Sequence, residues 1–147
     1  MNISSDRLLS LIALFAVCGL VVSSVSLQHH YATSKTAYCE IGEAFNCDIV
    51  NRSEFSTLLG IPVALIGMGG YAALAALATV FRERRDSMHL LFGGSIVGLA
   101  FALYLTYIEG HVLGVWCILC LTSLALISVI AILSSMAWTK RRSNRLP

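Results

Sequence analysis

Charged residues are scarce in this chain, and their scarcity argues against a soluble domain. Lys, Arg, Asp and Glu make up 12% of the sequence, whereas a soluble domain carries about 25%. The formal net charge is only +2, and no basic face with interleaved aromatic residues is available to follow a phosphate backbone. The alternating ten-residue strands of a membrane β-barrel are also missing. We therefore expect a lipid-facing surface, with no nucleic acid among the partners.

Four long apolar runs take the place of the missing charge. They cover residues 8–27, 61–81, 88–108 and 115–138, and none contains Asp, Glu, Lys or Arg. Because a helix rises about 1.5 Å per residue, about 20 residues cross the hydrocarbon core of a bilayer. The sequence predicts a single all-α domain over residues 1–147, a transmembrane four-helix bundle surrounded by membrane lipid. The first run exceeds the usual ~7–15-residue apolar region of a signal peptide, so we expect it to remain as a helix.

The basic residues indicate how the bundle is oriented. Eight of the ten Lys and Arg residues lie before the first run, between the second and third runs, or in the tail 139–147. By the positive-inside rule, both termini and this basic tail face the cytoplasm. The outer loop, residues 28–60, then faces away from the cytoplasm and forms an extracytoplasmic cap.

A short amphipathic helix is expected within this outer loop. Its apolar residues follow helical spacing over residues 54–59, and Asn51 or Ser53 would begin it. Gly60 would end it, and Pro62 suits the first turn of the second transmembrane helix. We expect this helix to lie on the membrane surface with its apolar side down.

Four of the five cysteines fall on the outer side. Cys39 and Cys47 lie in the outer loop, and Cys117 and Cys120 form a CxxC motif where the fourth helix starts. Cys18 lies in mid-membrane, where we expect a small apolar filler. The positive end of a helix dipole favours a thiolate, and thiolates attack disulfides. The CxxC pair is therefore predicted to exchange disulfides close to ligands dissolved in the lipid.

The residues alone leave two other interpretations open. Four outer cysteines could hold zinc, although the seven residues between Cys39 and Cys47 exceed the usual spacing of two to four. A non-catalytic membrane scaffold with purely structural disulfides is the other interpretation. Four cysteines allow three pairings, and their spacing does not choose between them.

Several motifs together resemble the vitamin K epoxide reductase family, including its bacterial homologues that act in disulfide-bond formation. They are Cys39, the CDIVNRS run at residues 47–53, the GIPVALIG run at residues 60–67 and CILC at residues 117–120. The resemblance covers nearly the whole chain, from the first apolar run through the fourth.

The resemblance implies a relay that carries electrons from thiols to a quinone without metal or flavin. A DsbA-like thioredoxin-fold protein would exchange with Cys39, and Cys47 would attack Cys117. Cys120 would contact the quinone and form a transient adduct or charge-transfer complex. Ser53 matches a loop Ser or Thr of the family that lies near the quinone, and a helix-cap role explains it equally well.

The expected acceptor is ubiquinone or menaquinone. Leu124 stands where the vertebrate enzymes carry a tyrosine that helps to bind the quinone ring, and residues 63–65 lack a polar group that those enzymes place nearby. Reduction of vitamin K or its epoxide is therefore the alternative. A bacterial plasma membrane fits this chemistry, with the endoplasmic reticulum as the alternative membrane.

Other titratable residues also fall on the outer side of the predicted bundle. They are His29, His30, Glu109 and His111, and each has the chemistry to protonate a reduced quinone. No spacing links them to a proton relay, so we predict surface or interfacial packing for all four.

Overall fold

The computed structural model describes residues 3–32, 42, 44–84 and 86–143. Within these ranges the α-helices are α1 (Ile3–Tyr31), α2 (Cys47–Asn51), α3 (Val63–Thr79), α4 (Ser87–Ile108) and α5 (Ile118–Ser143). A 3-10 turn covers Glu54–Ser56, and β1 (Thr57–Leu58) pairs with β2 (Ile61–Pro62) as a short antiparallel hairpin. A π-helical turn, Glu109–Leu113, continues from α4.

The four long helices pack as a bundle, which confirms the predicted all-α class. Helix α1 lies between α3 and α5, and α4 packs against α5, whereas α3 and α4 contact each other less extensively than these neighbouring pairs do. Among the described residues, three segments are long and apolar enough to cross a membrane, namely Ser5–Tyr31, Ser87–Leu113 and Ile118–Ser143. Helix α3 is equally apolar but has only 17 residues.

The second and fourth helices begin two and three residues later, respectively, than the apolar runs that predicted them. Helix α3 begins at Val63 because Ile61 and Pro62 belong to β2, so that Pro62 precedes the helix instead of entering its first turn. Helix α5 begins at Ile118 because Trp116 pairs with the outer loop. Cys117 therefore lies immediately before α5, at its N-terminus.

The amphipathic helix predicted over residues 54–59 does not form. The 3-10 turn and the hairpin occupy this stretch, and the two loop residues Leu59 and Gly60 both have positive φ, 54° and 82°. Such a two-residue loop matches the right-handed twist of a hairpin. A short α-helix, α2, forms earlier in the outer loop, and Asn46 caps it by accepting a hydrogen bond from the backbone N–H of Ile49.

The two ends of the bundle differ in character. The end that carries α2, the hairpin and the π-helical turn is called the cap end here, and the opposite end, with Arg82, Arg84 and the last turn of α5, is called the basic end. Between them, the core is largely apolar, and the hydroxyls of Ser95 and Ser134 meet at 2.8 Å between α4 and α5. Both serines are fully buried, and such hydrogen bonds join helices in lipid.

Tyr71 joins three helices near the middle of the bundle. Its ring lies against Gly19 of α1 so closely that a Cβ atom at that glycine would overlap it. Its hydroxyl group donates a hydrogen bond of 2.9 Å to the carbonyl of Ser123 on α5. The glycine therefore permits the close approach of α1 and α3 that positions this tyrosine.

We predict that Gly19→Ala destabilises the bundle, because the added methyl group displaces the Tyr71 ring from a packed position. Overpacking of this kind costs about 1–3 kcal/mol. Thermal unfolding in detergent measures the loss, with Gly69→Ala as the control, since a Cβ atom there meets nothing within 4 Å. Equal melting temperatures for the two variants would contradict the proposed contact.

Candidate redox site

A short backbone pairing brings the outer loop to the start of α5. The N–H of Asn46 donates to the carbonyl of Trp116 at 3.1 Å, and the N–H of Trp116 donates to the carbonyl of Ala44 at 2.9 Å. The two segments run parallel, with Phe45 paired to Trp116. Both segments then continue in the same direction. Cys47, which follows Asn46, and Cys117, which follows Trp116, are therefore brought into one region.

Cys47 and Cys117 share a small buried core at the cap end. Both are fully buried, and Val50 of α2 completes the cluster. Cys47 is disulfide-bonded, whereas Cys117 and Cys120 are free thiols. Cys39, predicted to exchange with a partner, lies outside the described residues. Among the residues that are described, no three His, Cys, Asp or Glu side chains group together as metal ligands would.

Cys18, the fifth cysteine, lies away from this core. It is a free thiol on the exposed surface of α1, so the expectation that it fills space inside the bundle was wrong. Its neighbour Val17 is also exposed, because both residues fall on the face of α1 that turns away from the other helices.

The environment of Cys117 favours its thiolate. Its pKa is lowered from the ordinary value chiefly because the Cys120 thiol donates a hydrogen bond to it, although burial opposes this shift. The backbone N–H groups of Leu119 and Cys120 also point at the Cys117 sulfur, as expected at a helix N-terminus. The side-chain amide of Asn51 reaches the same sulfur at 3.9 Å. Donors therefore surround Cys117 from two elements.

A polar network fixes α2 over the end of α1. The hydroxyl of Ser26 donates to the Asn51 side-chain oxygen at 2.7 Å, and His30 Nδ1 lies 2.6 Å from the Asn51 carbonyl. His29, also buried, lies 3.3 Å from the carboxylate of Asp48. Both histidines thus pack against α2, and the network holds the Asn51 amide toward Cys117.

Glu109 is buried at this site, contrary to the surface or interfacial packing predicted for it. Only 2% of its surface is exposed, and its Oε2 accepts a hydrogen bond of 3.1 Å from the backbone N–H of Cys117. The Cys120 thiol lies within interaction range of the same carboxylate. The π-helical turn aims Glu109 inward, and Gly110 makes this possible because any side chain there would overlap the Trp116 ring.

A cavity of about 540 Å³ lies between the four long helices, with α2 and the hairpin at its cap end. Most of its lining is apolar, and residues of both α3 and α4 contribute where those helices separate. Cys120 and Ser53, the two residues predicted to meet a quinone, both line it, whereas Cys47 and Cys117 do not. The remaining polar lining includes His30, Asn51, Tyr71, Glu109 and Ser123.

Ser53 presents its oxygen to the cavity, but the proton of its hydroxyl group is already engaged in a hydrogen bond. Its hydroxyl donates to the Val50 carbonyl at 2.8 Å, and it makes no side-chain cap for the 3-10 turn that follows. The helix-cap role considered for Ser53 is therefore not observed. As it stands, the hydroxyl is an acceptor toward a ligand, and donating to a ligand would require it to rotate.

We predict that Cys120→Ala raises the pH at which the Cys117 thiolate forms, because the substitution removes the hydrogen bond that contributes most to the lowered pKa. Ultraviolet absorbance of the thiolate, followed against pH with the Cys47 disulfide intact, measures the midpoint. Cys18→Ala is the control and should leave the midpoint of Cys117 unchanged. If the pH midpoint for Cys117 is unchanged or lower in Cys120→Ala, the role assigned to the Cys120 hydrogen bond is contradicted.

A comparison with protein families agrees with the fold. The sequence model of the vitamin K epoxide reductase family matches residues 10–135, a range that includes part or all of each long helix and contains Cys39, Cys47, Cys117 and Cys120. The family implies membrane redox chemistry between thiols and a quinone or vitamin K. The chain therefore belongs to the vitamin K epoxide reductase family, and it is a membrane oxidoreductase.

Proposed function

We propose that this protein is a thiol–quinone oxidoreductase that oxidises the dithiol of a thioredoxin-fold partner and reduces a membrane quinone, supporting disulfide-bond formation. One observation carries the proposal. The Cys117–Cys120 pair has one cysteine in the apolar cavity and the other in the buried core that contains the disulfide-bonded Cys47. A dithiol in this position can receive electrons through the sulfur in the buried core and pass them on through the sulfur at the cavity.

The cavity suits a quinone as the oxidising substrate. Its volume of about 540 Å³ falls within the range of ligand pockets, about 300–1,000 Å³, and such pockets combine apolar walls with a few polar groups. A quinone accepts two electrons and two protons, the same number that a dithiol releases when it forms a disulfide. The separation of α3 from α4 offers a lipid-soluble molecule lateral access from the bilayer.

Electrons would enter through the loop cysteines. Reduced Cys47 attacks Cys117 of the Cys117–Cys120 disulfide, which releases Cys120 as a thiolate beside the cavity. Cys39 then attacks Cys47, and Cys117 leaves as a thiolate stabilised by the N–H groups at the start of α5 and by Asn51. The loop pair ends as a disulfide and the helix pair as two thiols. The free Cys117 and Cys120 with a disulfide-bonded Cys47 correspond to this stage.

The partner in this scheme is a DsbA-like protein that exchanges with Cys39. Oxidising conditions outside the cytoplasm permit such disulfides. The excess of Arg and Lys at the basic end supports an orientation with both termini in the cytoplasm. A bacterial plasma membrane satisfies both requirements, and the membrane of the endoplasmic reticulum is the alternative.

The first prediction concerns the transfer between the two pairs. In Cys39→Ser/Cys120→Ser, the Cys47 and Cys117 thiols have lost their usual partners, so we expect a Cys47–Cys117 disulfide to accumulate under mild oxidation. Mass spectrometry of peptides from alkylated protein detects it. Cys39→Ser/Cys117→Ser is the matched control and should give far less of the Cys47–Cys120 product. Equal yields in the two variants would argue against the proposed order of transfer.

The second prediction concerns the acceptor. Purified protein with a dithiol reductant should reduce ubiquinone or menaquinone, and Cys120→Ala should lower this rate to background while its melting temperature stays near that of the wild type. A non-catalytic scaffold would instead reduce no quinone, whether or not Cys120 is present. If vitamin K epoxide is turned over as fast as the two quinones, the alternative acceptor, vitamin K or its epoxide, replaces the proposed one.

A further inference from the structure

Glu109 has an unusual environment for a carboxylate. It is 2% exposed, and its Oε1 has no hydrogen-bond partner among the residues that the structure describes. Within the same described part of the chain, no Lys or Arg forms a salt bridge with it. A buried carboxylate without these compensations is unfavourable for folding. This burial points to a role that requires a carboxyl group at this position.

The position of Glu109 relates it to both sulfurs of the helix pair and to the cavity. Its Oε2 is held by the backbone N–H of Cys117, so the carboxyl group has a fixed orientation. The Cys120 thiol lies within its range, and Glu109 lines the cavity alongside Cys120. One oxygen is therefore anchored while the other is free to gain and lose a proton.

We propose that Glu109 is a catalytic proton carrier, which accepts the proton released from the Cys120 thiol and delivers it to an oxygen of the quinone in the cavity. The proposal rests on the function proposed above. It adds a path for the protons to the path already described for the electrons.

The chemistry balances with Glu109 unchanged at the end. The S–H bonds of Cys117 and Cys120 break, one S–S bond forms, and two electrons pass to the quinone. Its two oxygens each gain a proton, giving the hydroquinone. Glu109 is the only Asp or Glu that lines the cavity in the described part of the chain, and we therefore assign both protons to it in turn. After each transfer its carboxyl group is ionised again.

Other titratable groups near Glu109 or along the cavity come from three sides. The thiols of Cys117 and Cys120 are the nearest to Glu109, on the side of α5. His30 of α1 is engaged through Nδ1 with the Asn51 carbonyl, and the Tyr71 hydroxyl of α3 already donates to Ser123. Both are therefore held by other contacts, while Oε1 of Glu109 is not.

The test is a single turnover of the full-length chain in lipid nanodiscs. Protein reduced with dithiothreitol and freed of it is mixed with a short-chain ubiquinone, and hydroquinone formation is followed over a range of pH, in water and in heavy water. Glu109→Gln keeps the size of the side chain and an oxygen for the Cys117 N–H, but its amide cannot act as an acid or a base near neutral pH. We expect its rate to fall about 100-fold near neutral pH, a typical loss for a general acid–base.

The pH profile separates proton transfer from a structural role. The wild-type rate should level off as Glu109 becomes ionised, whereas the Glu109→Gln rate should keep rising as hydroxide takes over the role of the carboxylate. Glu109→Asp should restore the levelling-off at a reduced rate. Glu54→Gln is the matched control, because Glu54 is exposed and lies outside the cavity lining, and it should match the wild type.

Other outcomes overturn the proposal. A Glu109→Gln rate within twofold of the wild type would do so, as would a slow variant that keeps the wild-type pH profile and solvent isotope effect, since that pattern indicates positioning of Cys117 alone. If Glu109→Gln does not fold, Glu109→Asp decides by whether its profile levels off. Failure of the wild type itself to reduce the quinone, with thiol exchange intact, would instead contradict the proposed function.

Discussion

The parallel pairing of Phe45 with Trp116 is the contact on which the site depends. Two backbone hydrogen bonds join residues 44–46 to Trp116, and they place the outer loop against the start of α5. Cys47 and Cys117 follow directly on the two strands of this pairing and are buried together. Gly110 contributes indirectly, because its lack of a side chain leaves room for the Trp116 ring. This pairing, together with the polar network around α2, holds Cys47 beside Cys117.

The two sulfurs of the CxxC pair then occupy different surroundings. Cys117, at the N-terminus of α5, meets backbone N–H groups and the Asn51 amide, which stabilise negative charge on sulfur. Cys120, one turn further along, lines an apolar cavity beside the carboxyl group of Glu109. Cys117 and Cys120 are only three residues apart, yet Cys117 is proposed to exchange with other thiols and Cys120 to react with a lipid-soluble oxidant.

The sequence predicted the bundle well because each helix that crosses the lipid needs an apolar stretch of sufficient length, and such a stretch can be recognised locally in the sequence. It did not predict the hairpin, since the spacing of Phe55, Leu58 and Leu59 suits a helix and only the positive φ of Leu59 and Gly60 excludes one. Glu109 was assigned to surface or interfacial packing because its burial depends on a π-helical turn and on a contact with Cys117, eight residues away. The periodicity of apolar residues predicts single helices and strands. The hairpin and the burial of Glu109 arise instead from the way in which such elements meet.

The central claim is that electrons pass from the loop pair through the helix pair to a quinone, and the stoichiometry of one anaerobic experiment tests it most directly. Fully reduced protein, free of external thiol, is mixed with excess short-chain ubiquinone, and hydroquinone is counted per chain. We predict two hydroquinones for the wild type and one for Cys47→Ser, in which the helix pair alone is oxidised. One hydroquinone from the wild type, or two from Cys47→Ser, would contradict it.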